Sequence, residues 1–506
     1  MKIPKYYLLF TMLITGASIL VIEILGARII SPFFGVSLYV WSALISVTLI
    51  SLAIGYWRGG IIADSEPDED KLYTIIFQSA VCLLIIPFIK TFVLSRMGFF
   101  GLRIGALLSA SILFAAPLIL LSMVTPYAVR LTARKIEGVG RTTGMLYAIS
   151  TVGSFVGAII AGFFLIPVFH ADKVVYLLSL ILAVLVVVPW LLNRKPLKAV
   201  LAMGLIIVCL FLLFHAVKLP QAAGMKVIYK AESLYGEIKV LDTASDRSLL
   251  ISGIVQGRVN TSGYPIDNYF YYMDGFIQTY RPDVKDSLVV GLGAGSLPRI
   301  LGRKKIKVDT VEIDPVIGDV AKRFFGFNEG KLYIEDSRYY IANTLNTYDH
   351  IFLDAFGSEM LPYHLFSIES FMEMKKILKK GGILTINFHD FKDTEKAIST
   401  QSILKTLRKV FSNVLVFDLQ PWYGGIYRNI AFIASMEELI PKNQIVKIEV
   451  PAGMPELRVP KPIDINIKKG VVLSDGYNPI QRIYNPVAEA MRSDTLKAFP
   501  PEIFID

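Results

Sequence analysis

The sequence is poor in the residue types that cross-link small proteins or bind metals. Its 506 residues include two cysteines and five histidines. Both cysteines, Cys82 and Cys209, lie within apolar runs, so the sequence indicates neither a disulfide framework nor a thiolate metal site. The histidines are scattered without the spacing of zinc ligands, at positions 170, 215, 350, 364 and 389. We therefore expect no metal.

Charged residues are also scarce, at 19%, whereas 54% of the residues are hydrophobic. This composition is too apolar for an ordinary soluble enzyme, and the chain is too long for one domain. The net charge is +8 within residues 1–217 and +2 in the remainder. Lys and Arg residues that flank membrane spans face anionic lipid headgroups, whereas a nucleic-acid site would need a basic face on the soluble part. We expect a lipid bilayer and no nucleic acid as partners.

Long apolar segments fill the first part of the sequence. Each is near the ~20 residues that a helix needs to cross a bilayer. The segments are 6–27, 36–57, 72–94, 104–128, 143–168, 172–192 and 197–217. They predict a helical transmembrane domain of about seven spans over residues 1–217, in the plasma (inner) membrane. Gly153 and Gly157 form a G-x-x-x-G that favours close helix packing, within the chain rather than between chains.

The side of the membrane on which the second half lies is left open. The positive-inside rule favours a cytoplasmic N-terminus, and an odd number of spans then places residue 218 onward outside. That outcome conflicts with the use of an intracellular cofactor. The first span carries Glu23, with Arg28 five residues later. Glu23 pairs with Arg28 or a neighbouring helix in one interpretation, and has a transport or substrate role in the other.

The pattern changes after residue 217. Short alternating runs over 218–286 predict a linker and a small antiparallel β-sheet. Strand and helix patterns alternate over 287–440, which predicts a Rossmann-like domain with a mostly parallel sheet and helices on both faces. Residues 441–506 form a C-terminal extension. Ligands bind such sheets beyond the carboxyl ends of the strands.

A glycine loop stands at the first of these strand ends, in "SLVVGLGAGSLPRIL". Gly291, Gly293 and Gly295 let the backbone approach a ligand closely. An acid about twenty positions later can bind ribose hydroxyls, and Glu312 meets that requirement. Asp336 follows the next strand and is expected near an adenine amino group. The last glycine of the dinucleotide fingerprint is missing, which favours a ligand of the S-adenosylmethionine type over NAD.

A further strand end, in "IFLDAFGSEMLPYHLFS", supplies candidate chemistry. Asp354 is expected beside the same pocket, and Glu359 and His364 follow it. A carboxylate there can accept a proton from an amine that attacks a sulfonium-activated carbon. In the alternative interpretation, Asp354 only caps the following turn.

The order of these motifs resembles the polyamine aminopropyltransferases, the spermidine synthase family. The resemblance is carried by "YKAESLYGEIKVLD", "ISGIVQ", "VVGLGAG", "TVEIDPVIGDVAKRFF", "IEDSRYYI" and "YDHIFLDAF". The first half, with "EILGARIISPFFGVSLYVWSALI" and "GYWRGGIIAD", is similar to the multi-span segment of membrane-fused spermidine synthase-like proteins. The resemblance implies decarboxylated S-adenosylmethionine as the co-substrate, transfer of its aminopropyl group to putrescine or another amine, and release of methylthioadenosine. It also implies a homo-oligomer.

The resemblance assigns a role to each matching residue. Asp354 corresponds to the catalytic aspartate. The donor-binding residues are implied to be Gln256, Gly291, Gly293, Gly295, Glu312 and Asp336. Tyr271 and Tyr423 correspond to tyrosines of the amine channel.

Two departures concern the donor. The family usually has aspartates that hold the donor's ammonium group where this sequence has Ala294 and Gly357. Either Glu359 replaces one of them as a substrate-binding residue, or the donor is a different adenosylated molecule. Three functions follow: a membrane-anchored aminopropyltransferase, a transporter or sensor with a degenerate ligand-binding domain, and a methyltransferase that uses S-adenosylmethionine.

Overall fold

The computed structural model describes residues 3–132, 138–215, 219–355, 361–420, 425–442, 447–451 and 454–504. The chain divides into two compact units. The first consists of Met1–Ala222, Ala231–Glu237 and Pro500–Asp506, and the second consists of Ala223–Lys230 and Ile238–Phe499. The predicted order of a helical domain, an antiparallel sheet and a Rossmann-like domain is confirmed.

The first unit is built from apolar helices, most of them long, and an α-helix satisfies most of its backbone hydrogen bonds within itself. These are α1 (Lys5–Phe34), α2 (Leu38–Ser65), α3 (Glu69–Met97), α4 (Gly101–Thr132), α5 (Val139–Ile160), α6 (Ile166–Val168), α7 (Ala171–Leu192) and α8 (Pro196–Phe214). A 3₁₀ turn, Gly98–Phe100, joins α3 to α4, and a π-helical turn, Ala161–Leu165, joins α5 to α6. Strand β1 (Gln221–Ala222) and helix α16 (Pro501–Phe504) also belong to this unit.

Glycines let two of these helices pack closely. A Cβ atom on Gly153 would lie 2.1 Å from the Leu13 carbonyl oxygen, and one on Gly157 would lie 2.6 Å from the Ala17 carbonyl oxygen. Both contacts join α5 to α1. The G-x-x-x-G motif therefore serves packing within the chain, as the sequence analysis favoured.

Six stretches of the described chain are long and apolar enough to cross a bilayer. They are Lys5–Phe34, Leu38–Ser65, Glu69–Thr132, Val139–Val168, Ala171–Leu192 and Pro196–Phe214. The third stretch is 64 residues long and contains both α3 and α4. These two helices lie side by side, since the Ser79 hydroxyl donates to the Pro117 carbonyl oxygen at 3.2 Å. The number of crossings stays a prediction.

Polar side chains within the helical unit find partners inside it. Lys90 Nζ on α3 lies 2.6 Å from Asp172 Oδ1 on α7. Glu23 forms a hydrogen bond with Thr48 of the neighbouring helix α2. Arg28 instead donates to the Ser233 carbonyl oxygen at 2.9 Å. Of the partners considered for Glu23, the structure thus provides the neighbouring helix.

The second unit begins with antiparallel strands. They are β2 (Met225–Glu232), β3 (Glu237–Asp242), β4 (Asp246–Ile251) and β5 (Ile254–Asn260), which follow one another in the sheet. Strands β3 and β4 pair in the register Val240 to Leu249, and β4 pairs with β5 in the register Ser248 to Arg258. Helix α9 (Tyr269–Tyr280) then leads into the main sheet.

The main sheet has seven strands in the order β11-β12-β10-β9-β6-β7-β8. Their bounds are β6 (Asp286–Val290), β7 (Lys307–Glu312), β8 (Lys331–Ile334), β9 (Tyr348–Leu353), β10 (Leu378–Phe391), β11 (Asn413–Asp418) and β12 (Tyr427–Ser435). Strands β10, β9, β6, β7 and β8 are parallel, whereas β12 runs antiparallel to β10 and β11. The remaining elements are α10 (Ser296–Arg303), α11 (Pro315–Phe325), α12 (Ser337–Asn343), α13 (Ile368–Ile377), α14 (Ile398–Val410), α15 (Ile480–Ala498), β13 (Lys447–Ile448) and β14 (Leu457–Arg458).

Alternate residues of the central strands enter two different cores. Val290 and Leu353 are buried in one core, and Val289 and Phe352 are buried in the other. Successive side chains of a strand point to opposite faces, so both faces of the sheet are covered. Strands buried on both faces are typical of doubly wound folds. Because β9, β6 and β7 are neighbours, the segments after Leu353, Val290 and Glu312 meet at one edge of the sheet.

Candidate active site

The glycine loop after β6 adopts a backbone conformation that glycine favours. Gly291, Gly293 and Gly295 have φ angles of +95°, +52° and +71°. A Cβ atom on Gly291 would lie 2.5 Å from the carbonyl oxygen of Asp354. Close approach therefore requires glycine at 291, and the loop lies directly beside the end of β9.

Glu312, at the end of β7, holds this loop in place. Its Oε2 accepts a hydrogen bond from the Leu292 backbone N–H at 3.0 Å, and its Oε1 accepts one from the Asp314 backbone N–H at 3.0 Å. Burial raises the pKa of the Glu312 carboxyl, and these backbone hydrogen bonds oppose that effect. An ionised carboxylate has about four acceptor positions, so both oxygens can also accept from ribose hydroxyls.

Asp336 caps helix α12. Its Oδ1 accepts from the Tyr339 backbone N–H at 3.0 Å. Its Oδ2 lies 3.5 Å from His364 Nε2, and both side chains are 40% exposed. The structure thus gives Asp336 a capping contact in addition to the adenine contact that the resemblance implies, and it brings His364 to Asp336.

Asp354 lies immediately after β9, and both of its carboxylate oxygens are hydrogen-bonded. Tyr269 Oη donates to Oδ2 at 3.0 Å, and Asn387 Nδ2 donates to Oδ1 at 2.9 Å. Burial raises the pKa of Asp354 to about 6, while the hydrogen bonds from Asn387 and Tyr269 lower it. At neutral pH the group is mostly a carboxylate. A carboxylate in this protonation state is able to accept a proton.

The tyrosine whose hydroxyl reaches Asp354 is Tyr269. The resemblance implies Tyr271 for the amine channel, and that role stays a prediction. The Tyr271 hydroxyl donates to the Pro265 carbonyl oxygen at 2.9 Å. Tyr269 begins helix α9, and Asn268 is its N-cap residue. Burial and the charge of Asp354 raise the pKa of Tyr269 well above its ordinary value, so its hydroxyl stays protonated and donates.

Strand β5 packs over the glycine loop. The carbonyl oxygen of Gln256 lies 3.2 Å from the position that a Cβ atom on Gly293 would take. A Cβ atom on Gly257 would lie 2.9 Å from the Ala294 Cβ, and Ala294 is 1% exposed. The backbone of Gln256 therefore lies at the loop, and the donor contact that the resemblance implies for Gln256 stays a prediction. Ala294 points into packed protein and offers no charge to a ligand.

Three residues of the sequence analysis, Gly357, Glu359 and Tyr423, lie outside the described residues. The sequence analysis also missed the amides behind Asp354. Asn387 accepts a hydrogen bond from Asn429, with Nδ2 to Oδ1 at 3.2 Å. The sequence does contain an indication of this polar contact, because Asn387 interrupts the apolar strand "ILTINF".

Among the residues that the structure describes, no group of three or more His, Cys, Asp or Glu side chains could hold a metal ion.

Comparison with known proteins gives matches centred on this unit. Residues 269–438 match the family model of the spermine/spermidine synthase domain. The chain is similar to a polyamine aminopropyltransferase of Vibrio vulnificus (strain CMCP6), with 31% identity over 263 residues, 49% of this chain and 84% of that protein. It is also similar to an N-terminal histidine N-methyltransferase of Emericella nidulans, with 26% identity over 219 residues, 38% of this chain and 39% of that protein.

A solved structure of a probable spermidine synthase from Corynebacterium glutamicum matches with a TM-score of 0.36 and 18% identity. The match covers 43% of this chain and 82% of that one. Tyr269, Glu312 and Asp354 all fall within the residues that the family model matches.

Proposed function

Because the chain belongs to the polyamine aminopropyltransferase (spermidine synthase) family, we propose that it transfers an aminopropyl group from decarboxylated S-adenosylmethionine to putrescine or a related amine. The amine nitrogen attacks the aminopropyl carbon bonded to the sulfonium. A C–N bond forms and the C–S bond breaks, with its electron pair passing to sulfur. The products are the extended amine, methylthioadenosine and one proton.

Asp354 is the residue that carries the proposal. An alkylammonium has a pKa near ~10, so the acceptor arrives protonated and cannot attack. Both described hydrogen-bond partners of Asp354 are neutral, which leaves its charge available to the incoming ammonium. The carboxylate binds the cation and then takes the proton as the nitrogen approaches carbon. General-base assistance of this kind contributes roughly 10²- to 10⁴-fold to the rate.

The donor occupies the neighbouring half of the pocket in this proposal. The adenosyl group lies along Gly291, Gly293 and Gly295, with its ribose at Glu312 and its adenine near Asp336. The contact between Gly291 and the Asp354 carbonyl oxygen supports this arrangement, because it puts the loop and the base side by side. Gln256 closes the pocket from β5.

The helical unit anchors the enzyme in the plasma membrane in this proposal. Large apolar side chains on its helices are exposed, as in Trp57 at 66%, Phe163 at 74% and Phe211 at 63%. Soluble proteins rarely expose contiguous apolar surface of this kind, and lipid would cover it. Membranes washed with alkaline carbonate should retain the chain, and only detergent should release it.

Methyl transfer is the second candidate. It is favoured by Ala294, which offers no carboxylate for the ammonium of a decarboxylated donor, and by the similarity to an N-methyltransferase. Intact S-adenosylmethionine would then be the donor, and S-adenosylhomocysteine the product.

One assay separates the two candidates. The purified full chain is incubated with decarboxylated S-adenosylmethionine or S-adenosylmethionine and a panel of di- and polyamines. Mass spectrometry then measures methylthioadenosine and S-adenosylhomocysteine. We expect methylthioadenosine with at least one diamine, and its formation should depend on Asp354. No methylthioadenosine with any amine would contradict aminopropyl transfer, and S-adenosylhomocysteine would establish the second candidate.

A further inference from the structure

A line of hydrogen-bonded side chains runs away from Asp354 across two strands. Asn387 on β10 donates to Asp354 Oδ1 at 2.9 Å, and Asn429 on β12 donates to Asn387 Oδ1 at 3.2 Å. His389 forms a side-chain hydrogen bond with Asn429. His389 and Asn429 are direct partners in the antiparallel register. Asn387 and His389 lie two residues apart on one strand, so their side chains share a face of the sheet.

The line fixes which end of the Asn387 amide faces Asp354. A primary amide has an accepting oxygen and a donating NH₂ group. Because Asn429 donates to the oxygen of Asn387, the NH₂ group is directed to Asp354. The reversed amide would face the carboxylate with an oxygen and would leave two NH₂ groups opposed. Asn387 is 1% exposed, so water cannot compensate for that arrangement.

The line is also uncharged. Burial lowers the pKa of His389 to about 4, so its ring is neutral at neutral pH. Among the described residues, the other groups that act on Asp354 are the Tyr269 hydroxyl from α9 and the charge of Asp267, which lies just before α9. Asp267 is itself paired with Arg258, with Oδ1 to Nη2 at 2.7 Å. The line therefore stabilises the Asp354 carboxylate without a cation that would compete with a substrate ammonium.

We propose that Asn387 is a positioning residue for Asp354, and that Asn429 and His389 hold its amide in the donating orientation. This inference rests on the proposed role of Asp354 as the base. It assigns a function in catalysis to three residues that need not touch the substrate. Their effect is to hold Oδ1 in one direction and to favour the ionised form of Asp354.

The substitution Asn387→Leu tests the proposal, because it removes the NH₂ group that donates to Asp354 and keeps a side chain of similar volume. The ionised form of Asp354 loses a hydrogen bond, so the pKa of Asp354 rises further. A hydrogen bond to a charged group is worth roughly 10- to 100-fold, which moves the acidic limb of kcat/KM upward by about one to two pH units. At pH 6 the rate falls roughly 5- to 50-fold, and it recovers as the pH rises.

Two further variants separate positioning from general damage to the sheet. Asn429→Leu leaves the NH₂ group of Asn387 in place but frees the Asn387 amide to turn. We therefore expect a smaller upward shift of the acidic limb of kcat/KM. Thr385→Val is the matched control on β10, because the Thr385 hydroxyl contacts His350 Nε2 at 2.8 Å and not the Asp354 carboxylate, whose described partners are Tyr269 and Asn387. The acidic limb of kcat/KM for Thr385→Val should coincide with that of the wild type, even if the thermal stability of the variant is lower.

A readout without turnover keeps this inference separable from the proposed function. Infrared difference spectra report the protonation of the Asp354 carboxyl directly. For the wild type and for each variant, the spectrum of the same protein carrying Asp354→Asn is subtracted. An upward shift of the titration midpoint of Asp354 in Asn387→Leu supports the positioning role, also in a chain that forms no methylthioadenosine. An unchanged midpoint in both Asn387→Leu and Asn429→Leu overturns it.

Discussion

Two carboxylates at the same sheet edge are held in different ways. Glu312 accepts hydrogen bonds from two backbone N–H groups, of Leu292 and Asp314. Asp354 accepts from two side chains, Tyr269 and Asn387. Backbone N–H groups that donate hydrogen bonds fix the shape of a loop, and a side-chain substitution elsewhere does not remove them. Side chains that donate hydrogen bonds can be changed one at a time. In the proposed pocket, the half at Glu312, called the donor half, is therefore fixed by the backbone, whereas the half at Asp354, called the reactive half, is set by individual side chains.

The substitution Asp354→Asn tests the reactive half, and we expect it to have the largest effect on the rate. Asparagine keeps the shape of the side chain but cannot accept the proton. We expect kcat to fall roughly 10²- to 10⁴-fold, with the affinity for methylthioadenosine nearly unchanged. Steady-state kinetics and calorimetry measure the two quantities. Near-normal turnover would mean that another group is the base, with Glu359 or His364 the first to test.

The substitution Glu312→Gln should affect the other half. One of the two backbone N–H groups would then face an NH₂ group, and an unsatisfied buried donor costs about 1–3 kcal/mol. We expect the loop to loosen and the affinity for the donor to fall roughly 10- to 100-fold, together with thermal stability. The surface variant Asp319→Asn, whose carboxylate pairs with exposed Arg323, is the control. Full donor affinity in Glu312→Gln would exclude Glu312 from the pocket.

Tyr269→Phe should change the pH dependence more than the maximal rate. The Tyr269 hydroxyl lowers the pKa of Asp354, which burial has raised to about 6. Without it the pKa rises further, so a higher pH is needed to ionise the base. We expect kcat/KM to fall roughly 2- to 10-fold at pH 7 and to recover above pH 9.

Tyr280→Phe is the matched control for this change. Tyr280 lies at the other end of α9 and packs against Phe417, with ring centroids 6.2 Å apart. Its acidic limb should coincide with that of the wild type. A Tyr269→Phe profile that also coincides with the wild type would show that the hydroxyl does not act on Asp354.

Much of the donor half could be predicted from the sequence, because its signals are local. The alternation of strand and helix patterns over 287–440 is confirmed, with "SLPRILGR" forming α10 and "PVIGDVAKRFF" forming α11. Glu312 was selected by its distance in sequence from the glycine loop, and the structure joins the two through Leu292. Helix α13 ends at Ile377 because the chain from Leu378 pairs with β9, a contact that no local pattern indicates.

The reactive half was harder to predict, because it depends on the phase of a helix and on contacts distant in sequence. An α-helix turns by about 100° per residue, so a shift of two residues moves a side chain to the opposite face. Tyr269, which contacts Asp354, and Tyr271, which the resemblance implies for the amine channel, are two residues apart and so lie on different faces of α9. Asn429 reaches Asn387 only through the pairing of β12 with β10, across 42 positions of sequence. No local pattern indicates such a partner.

The smallest effect that we predict is at Asp336, where capping and ligand binding can be separated. Asparagine caps helices as well as aspartate does, so Asp336→Asn should retain the hydrogen bond to the Tyr339 backbone N–H and the thermal stability of the wild type. It loses the second acceptor oxygen, Oδ2. In the wild type this oxygen faces His364, and in the proposed function it accepts from the adenine amino group. A partly exposed hydrogen bond of about 0.5 kcal/mol corresponds to a roughly two- to threefold loss of donor affinity. Asp336→Ala should show the same loss of affinity and, in addition, a lower melting temperature, because it removes the cap. Calorimetry with methylthioadenosine and thermal denaturation measure the two effects. If Asp336→Asn binds as tightly as the wild type while Asp336→Ala is destabilised, Asp336 belongs to the fold alone and the adenine contact assigned to it is wrong.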